Sequence, residues 1–211
     1  MFTGIAEETG TIFRISFPGN TTHLTVQSKV CVQKLEIGAS VACNGICLTV
    51  TEVQKNMFTA EIMKETCSKT TAVNWKSGTK LNLERAMSAN GRFDGHIVQG
   101  HIDTIALVQA VTNTGQEYRI RIGIPSPSHT PLLAMHGSIA IDGISLTIAR
   151  LYADAFEVAL IPQTLQTTTL NLLKAGDKVN LEYDILGKYI QRQLNSSGKR
   201  LSEKELYEKG F

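Results

Sequence analysis

The chain contains one sequence block twice, and this repeat constrains the fold more than any other feature. Residues 38–84 align with residues 136–182 without a gap, at a constant offset of 98 positions. The 47 aligned pairs contain 16 identities, whereas chance would give about three, so this is an internal duplication. The identical pairs include Gly45 with Gly143, Leu48 with Leu146, Thr49 with Thr147 and Glu84 with Glu182. Two copies of one unit predict two similar domains and two similar sites.

Short stretches that alternate or are β-branched, with glycine and asparagine between them, predict closely spaced antiparallel strands. In the first half these stretches are Leu24–Gln27, Ser40–Cys43, Cys47–Val53, Phe58–Ile62 and Lys80–Glu84. About six strands per copy are typical of a small barrel. We therefore predict an all-β fold of two tandem six-stranded antiparallel, Greek-key-like barrels. Residues 65–72 and 163–170 predict one short helix per barrel, the second of them after Pro162.

The segment 86–95 is rich in turn-forming residues and predicts the link between the copies. This division gives a first barrel over residues 1–89, a second over 90–186 and a helical tail over 187–211. In the second barrel the alternating residues 116–124 predict a strand that ends at Pro125. In the tail, one helical face carries Ile185, Tyr189, Ile190 and Leu194, and a capping box over Ser202–Glu205 is flanked by Leu201 and Leu206. Such an apolar stripe packs on another subunit or back on a domain, and we favour an oligomer.

Composition limits the partners and the compartment. The 21 basic and 19 acidic residues give a formal charge of +2 and form no long basic run, so we expect no nucleic-acid partner. The N-terminus lacks a signal-peptide pattern, and no apolar run reaches the 18 residues of a membrane span. We therefore expect no membrane association and a cytoplasmic location. All four cysteines, Cys31, Cys43, Cys47 and Cys67, lie in the first half, which favours free thiols over a disulfide or a zinc site that both copies would need.

The repeated block places small polar residues on one face of a strand. Cys47 and Thr49 share a face, as do Ser145 and Thr147, because successive side chains on a strand alternate. One interpretation is a barrel wall whose polar residues face solvent or bond to the backbone, and the other is a pair of binding sites. Thr66 and Thr164 are likewise open to two interpretations, as site residues or as helix caps.

Two histidines and two aspartates are further candidates. His96 and His101 are five positions apart, which puts them on opposite faces of a straight strand, so we expect no shared metal site. Either histidine is suited to acid–base chemistry or to a structural role. Asp142 and Asp184 suit turns and caps, or the orientation of a histidine or a sugar hydroxyl. No glycine-rich phosphate loop and no nucleophile elbow occurs in the sequence.

Several separate motifs in order resemble the riboflavin synthase α chain family. They are Met1–Ile5, Asn44–Val50, Met63–Thr66, Gly100–Ile102, Ile141–Thr147, Ile161–Thr164 and Thr168–Leu170. The resemblance implies two six-stranded barrels per chain and a C-terminal helix that helps to assemble a homotrimer, with pockets facing each other across subunits. It also implies a dismutation without metal or redox cofactor, in which two molecules of 6,7-dimethyl-8-ribityllumazine exchange a four-carbon unit to give riboflavin and 5-amino-6-ribitylaminouracil. An association with lumazine synthase, which makes this substrate, is left open.

The resemblance also implies two sets of binding residues. The first pocket would use Phe2 as its closing residue together with Gly4, Ile5, Ala6, Cys47, Leu48, Thr49, Glu61, Ile62, Met63, Lys64, Glu65 and Thr66. The second would use Gly100, His101, Ile102, His136, Asp142, Ser145, Leu146, Thr147, Ile161, Pro162, Gln163, Thr164, Leu165 and Gln166. Where the family commonly has lysine, which is a fixed cation at neutral pH, this chain has His136.

The resemblance implies catalytic roles for six residues. His101 and Thr147 would lie near the methyl group that loses its proton, Ser145 and Cys47 beside the reacting carbons, and Asp184 and Ser40 on the neighbouring wall. A non-catalytic lumazine- or flavin-binding antenna protein of the same fold is the nearest alternative, and a flavin-dependent reductase on a similar barrel is a more distant one. The combination of His101, Asp142, Ser145 and Thr147 favours the enzyme.

Overall fold

The computed structural model describes residues 1–16, 19, 21–115 and 117–197, and it consists of two closed barrels. The first barrel contains β1 (Glu8–Ser16), β2 (Thr21–Gln27), β3 (Ser40–Cys43), β4 (Ile46–Gln54), β5 (Met57–Met63) and β6 (Lys80–Arg85). The second contains β7 (Thr104–Asn113), β8 (Tyr118–Gly123), β9 (Ser138–Ile141), β10 (Ile144–Leu151), β11 (Ala155–Leu160) and β12 (Lys178–Tyr183). The prediction of two six-stranded antiparallel barrels is confirmed.

Both barrels have the same connectivity. Neighbouring strands run β1-β2-β5-β4-β3-β6 in the first and β7-β8-β11-β10-β9-β12 in the second, and each ring closes on itself. The hairpin between the third and fourth strands turns through Asn44–Gly45 in one copy and Asp142–Gly143 in the other. All four residues have positive φ, between 44° and 79°, which is the backbone of a two-residue hairpin turn and explains the Asn-Gly and Asp-Gly pairs.

The interior of each barrel is filled by one alternate set of strand side chains. In β4 the residues Ile46, Leu48 and Val50 point inward, and in β10 the residues Ile144, Leu146 and Ile148 do the same. Phe58 and Phe156, again 98 positions apart, are fully buried at matching places. Burial of such a side chain contributes roughly 1.5–3 kcal/mol. Because the side chains that point inward are apolar, the polar residues between them lie on the outer faces of the barrels.

The two barrels pack around a pseudo-two-fold axis through a network of buried polar groups. The Nδ2 atoms of Asn82 and Asn180 donate to the carbonyl oxygens of Asp142 (3.0 Å) and Asn44 (2.9 Å), which belong to the opposite barrel. Their Oδ1 atoms accept from the backbone amides of Thr169 (2.7 Å) and Thr71 (2.8 Å), again across the interface. Because each buried amide is paired in both directions, the interface fixes the relative position of the barrels.

The short helices differ in detail from the prediction. Each predicted helix is an α-helical turn, α1 (Lys64–Lys69) or α2 (Pro162–Thr167), followed by a 3₁₀ helix over Thr71–Asn74 or Thr169–Leu172. The capping side chains belong to Thr70 and Thr168, which begin the 3₁₀ helices, so the structure does not support the interpretation of Thr66 and Thr164 as helix caps. Further 3₁₀ helices span Cys31–Lys34 and Pro127–Leu132, the latter shortly after Pro125, at which the predicted strand was expected to end.

The tail begins with α3 (Ile185–Ser197), whose first turn is capped by Asp184 Oδ1 accepting from the Leu186 amide at 3.0 Å. Of the apolar residues expected on one face of this helix, Tyr189, Ile190 and Leu194 are exposed and Ile185 is partly buried. The capping box over residues 202–205 lies outside the described residues. The strand predicted over residues 116–124 is observed as β8, which begins at Tyr118. Its first predicted residue, Gln116, lies outside the described residues. The four cysteines are free thiols, as predicted. In the described part of the chain, no helix is long and apolar enough to cross a membrane.

Candidate functional site

The outer face of each barrel carries a row of polar side chains, which we call the first wall and the second wall. The first wall crosses β3, β4 and β5: Ser40 lies opposite Thr49, Ala42 opposite Cys47, and Thr49 opposite Glu61. The second wall repeats this on β9 and β10, with Ser138 opposite Thr147 and Ala140 opposite Ser145. Small hydroxyl and thiol groups thus occur at matched positions on two surfaces.

The rim of each wall is formed where the fifth strand of the barrel runs into the short α-helix. Met63 and Ile161, which are 98 positions apart, each expose about two thirds of their surface there, 64% in both cases. An exposed apolar side chain beside a polar wall suits a flat ring with polar edges. Most other predicted residues of these two runs also reach the surface, including Lys64, Glu65, Pro162, Gln163 and Gln166.

Three predicted binding residues point away from the walls. Leu48 and Ile62 lie in the core of the first barrel, and Leu146 lies in the core of the second. The reason is the alternation of strand side chains, which sends every second residue of a contiguous run inward. Only the backbone of these residues reaches the walls.

The segments that precede the two barrels cross over to the opposite barrel. We call residues 2–6 and residues 98–102 the lead segments. The Gly4 carbonyl accepts from the Ser145 amide at 2.7 Å, and the Gly100 carbonyl accepts from the Cys47 amide at 2.9 Å. Ala6 packs against the second core and Ile102 against the first. Each wall is therefore bordered by the lead segment of the other half.

This crossing corrects the predicted grouping of the two pockets. The resemblance had placed Gly4, Ile5 and Ala6 with Cys47, and Gly100, His101 and Ile102 with Ser145. The structure instead brings Gly4 to the second wall and Gly100 to the first. Residue spacing within a strand fixes which face a side chain occupies, but it carries no information about which barrel a preceding coil segment will touch.

A buried glutamate holds each lead segment in place. Glu84 accepts hydrogen bonds from the Thr3 amide (2.6 Å), the Thr3 hydroxyl (2.8 Å) and the Gly4 amide (3.0 Å). Its repeat partner Glu182 accepts from the amides of Gln99 (2.6 Å), Gly100 (2.9 Å) and His101 (3.1 Å). Burial raises the pKa of both carboxyls, and the amide donors oppose that rise. These glutamates were absent from the predicted site, although their identity in the repeat was visible.

The close contact between lead segment and wall requires glycine. Gly4 and Gly100 have φ of +78° and +84°, a conformation that glycine adopts without steric cost. A Cβ on Gly4 would lie 2.6 Å from the Ser145 Cβ, and one on Gly100 would lie 2.5 Å from the Cys47 Cβ. The two residues expected beside the reacting carbons are thus each covered by a glycine backbone.

His96 is a functional candidate that is not among the site residues implied by the resemblance. Its Nδ1 lies 2.7 Å from the Ser145 Oγ, and the residue is only 7% exposed. Burial lowers the pKa of His96 and the charge of Asp184 opposes this, so the imidazole is neutral at neutral pH. A neutral ring nitrogen that contacts a hydroxyl is able to orient it or to take its proton. The sequence offered only the histidine itself as a signal, because nothing in the spacing linked it to Ser145.

Two other predicted contacts are corrected. Phe2 is fully buried between the barrels with Ala42, Val98 and Ala140, so it supports the walls from behind and does not close a pocket. Asp142 lies in the same interface, 4% exposed, where its Oδ1 accepts from the Asn180 amide at 2.8 Å. Its side chain is a turn and interface group, away from Ser145 and Thr147.

The remaining predicted residues lie near the walls. His136 is exposed at the start of β9, with φ of 65° where the first copy has Gly38. His101 is exposed next to Gly100, and therefore beside the first wall. Ser40 also borders a cavity of about 610 Å³ that reaches Thr3, Ile5 and Glu84. Among the described residues, no group of three His, Cys, Asp or Glu side chains is placed to hold a metal ion.

Comparison with known proteins gives consistent matches. The family model described as "Lumazine binding domain" matches residues 3–86 and again residues 99–184. The riboflavin synthase of Bacillus subtilis (strain 168) is 41% identical over 216 residues, covering 100% of both chains. That of Actinobacillus pleuropneumoniae is 44% identical over 196 residues, covering 92% of this chain and 90% of its own. A crystal structure of LumP complexed with 6,7-dimethyl-8-(1'-D-ribityl) lumazine superposes with a TM-score of 0.77 at 26% identity, covering 87% of this chain and 99% of that one.

Proposed function

The chain belongs to the riboflavin synthase family, and from this membership we propose that its two walls bind the two lumazine molecules of one dismutation. The reaction moves a four-carbon unit from one 6,7-dimethyl-8-ribityllumazine to another, giving riboflavin and 5-amino-6-ribitylaminouracil, so the enzyme is a transferase. One observation carries the proposal: the same wall, bordered by the same glycine-containing segment, occurs twice in the chain. A reaction that consumes two identical molecules is served by two matched surfaces.

The chemistry of the walls suits this substrate. The backbone of a lead segment presents peptide groups to the amide edge of the ring, and Met63 or Ile161 offers an apolar surface to its face. Hydroxyl groups at Thr49 and Thr147 suit the ribityl chain. Holding two such rings face to face accelerates their reaction because orientation is settled before the bond forms, an effect of up to several kcal/mol.

We further propose that walls of different subunits face each other within a homotrimer in the cytoplasm. Support comes from α3, where Leu186, Tyr189, Ile190 and Leu194 each expose at least 60% of their surface. In addition, His101 borders the first wall and Thr147 lies on the second, so a reaction that uses both requires a first wall opposite a second wall. Apposition of two subunits meets this requirement.

The test is to mix the purified chain with 6,7-dimethyl-8-ribityllumazine and to follow riboflavin formation and the released pyrimidine together. We expect one riboflavin for every two lumazines consumed, without added nucleotide or reductant. Binding with bright emission but no riboflavin would instead favour an antenna protein, and tightly bound flavin after purification would favour a reductase.

Replacing His101 by glutamine is expected to lower kcat by about 10²-fold, since removal of a general acid or base typically costs at least that much. Affinity for lumazine should change little, because the backbone contacts of residue 101 with Glu182 remain. Steady-state kinetics and a fluorescence titration would separate the two effects. A loss of affinity as large as the loss of kcat would assign His101 to binding and contradict a role in proton transfer.

Replacing His96 by alanine is expected to lower kcat about tenfold. This effect is smaller than the one at His101, because the variant loses only the orientation of the Ser145 hydroxyl and not a general acid or base. His96→Asn is the matched variant, because its amide occupies the place of Nδ1 and preserves the contact with Ser145. We expect it to retain activity within a few fold of the parent. If asparagine were as damaging as alanine, His96 would be moving a proton and would not merely position Ser145.

A further inference from the structure

A second cavity lies between the barrels, apart from both walls. It has a volume of about 700 Å³, and every residue that lines it has a partner 98 positions away that lines it too. Examples are Asn44 with Asp142, Trp75 with Leu173, and Lys80 with Lys178. The cavity therefore lies on the pseudo-two-fold axis. None of the wall residues or lead segments borders it, so the proposed dismutation does not use it.

The floor of this inter-barrel cavity holds buried polar residues, one of which has a hydroxyl without a hydrogen-bond partner. Thr71 is 8% exposed, and its Oγ1 has no hydrogen-bond partner within the described ranges. Asp142, which also lines the cavity, is 4% exposed and uses Oδ1 for the Asn180 amide. A buried hydroxyl without a partner costs free energy. A ligand that bonds to the Thr71 hydroxyl would relieve that cost.

The sides and rim of the cavity add an apolar surface and positive charge. Trp75 is 7% exposed, and Leu172, at 53%, stands across from it on the other barrel. Lys80 and Lys178 are exposed at the starts of β6 and β12, and neither has an ion-pair partner among the residues that the structure describes. One carboxylate, Asp177, shares the rim, where it accepts from the Lys174 amide at 2.8 Å. The second carboxyl that lines the cavity, Asp142, lies in the floor, where burial raises its pKa to about 7. At the rim, two lysines against one carboxylate favour an anion.

We propose that the inter-barrel cavity is a binding site for a small organic anion with an aromatic body. The body packs between Trp75 and the leucines, the acid group meets Lys80 or Lys178, and a polar group on the ligand bonds to Thr71 and Asp142. Because such a ligand contacts both barrels, it binds only while they are docked. Binding therefore stabilises the arrangement of the two barrels in the native state.

Trp75 makes the test direct, because it is the single tryptophan of the chain. The probe is 8-anilino-1-naphthalenesulfonate, an aromatic anion, titrated into the intact protein with excitation of tryptophan. We expect saturable energy transfer from Trp75 to the probe, weakened by salt. The transfer should persist when 6,7-dimethyl-8-ribityllumazine saturates the walls.

The variants separate this site from general surface binding. K80A/K178A is expected to weaken probe affinity at least tenfold, and Thr71→Val, which removes only the buried hydroxyl, about threefold. The matched control K29A/K55A removes two exposed lysines elsewhere on the first barrel and should leave affinity within twofold. The proposal is overturned if both double variants bind alike, if the bound probe receives no energy from Trp75, or if lumazine displaces it. Because all four lysines are exposed, loss of folding does not obscure the result.

Discussion

Replacing Gly143 by alanine is expected to destabilise the protein by at least about 3 kcal/mol, the sum of left-handed backbone strain and overpacking. Gly45 and Gly143 face each other across the pseudo-two-fold axis, both with φ of +79°. A Cβ on Gly143 would lie 2.6 Å from the Gly45 nitrogen, and one on Gly45 would lie 2.7 Å from the Gly143 nitrogen. Backbone stands on both sides, so neither group can rotate away and the barrels must separate.

The matched control is Gly38→Ala. Gly38 also has a positive φ, +87°, but no atom lies within 4 Å of the position a Cβ would take. Its repeat partner is His136, which shows that a side chain is tolerated in this turn. We expect Gly38→Ala to cost only about 1–2 kcal/mol from strain. Urea denaturation of both variants measures the difference, and equal losses would mean that the contact between the barrels is looser than these distances indicate.

The second large effect is expected at Asp142, where asparagine should stabilise the protein by about 4 kcal/mol at pH 8. Burial raises the pKa of Asp142 to about 7 from its ordinary value of 3.8, so the folded protein disfavours the charged form. The repeat partner Asn44 already carries the amide, and its Oδ1 accepts from the Asn82 amide at 2.7 Å. Asparagine at 142 keeps the equivalent bond to Asn180 without a charge to bury.

The pH dependence has a definite sign. Below pH 3.8 Asp142 is protonated in both the folded and unfolded states, and its contribution to stability is fully present. As the pH rises from 3.8 to 7, the unfolded state releases the proton first, and that stability is lost at about 1.4 kcal/mol per pH unit. The advantage of Asp142→Asn over the parent should therefore grow from pH 5 to about pH 7 and level off above it, because Asp142 then ionises in the folded protein as well. A constant advantage would place the pKa of Asp142 outside this range.

The fold was largely readable from the sequence because the repeat and the strand alternation are local signals. The offset of 98 positions aligns the third to sixth strands of the two barrels, and the Asn-Gly and Asp-Gly pairs stand at the hairpin turns. The site was only partly readable. Cys47, Thr49, Ser145 and Thr147 lie on outer faces as their alternation predicted, while the same alternation, applied to Leu48, Ile62 and Leu146, would have removed them from the predicted pockets.

The features that could not be predicted from the sequence are contacts between residues far apart in the chain. The exchange of Gly4 and Gly100 between the walls, the contact of His96 with Ser145 and the burial of Phe2 and Asp142 all depend on how the two barrels dock. Docking is decided by complementary surfaces whose residues are far apart in the chain, and no spacing rule relates them. Glu84 and Glu182 were identical in the repeat, but their role as acceptors for the lead segments required the position of those segments.

The crossed lead segments have a consequence for inheritance. Neither half encodes a complete wall, because the wall made by residues 138–148 is bordered by residues 2–6 and the wall made by residues 40–50 is bordered by residues 98–102. A substitution in one lead segment therefore requires a compensating substitution in the wall of the opposite half, and not in the wall of its own half. The two halves arose by duplication of one ancestral unit, but substitutions in one half must stay compatible with the other half.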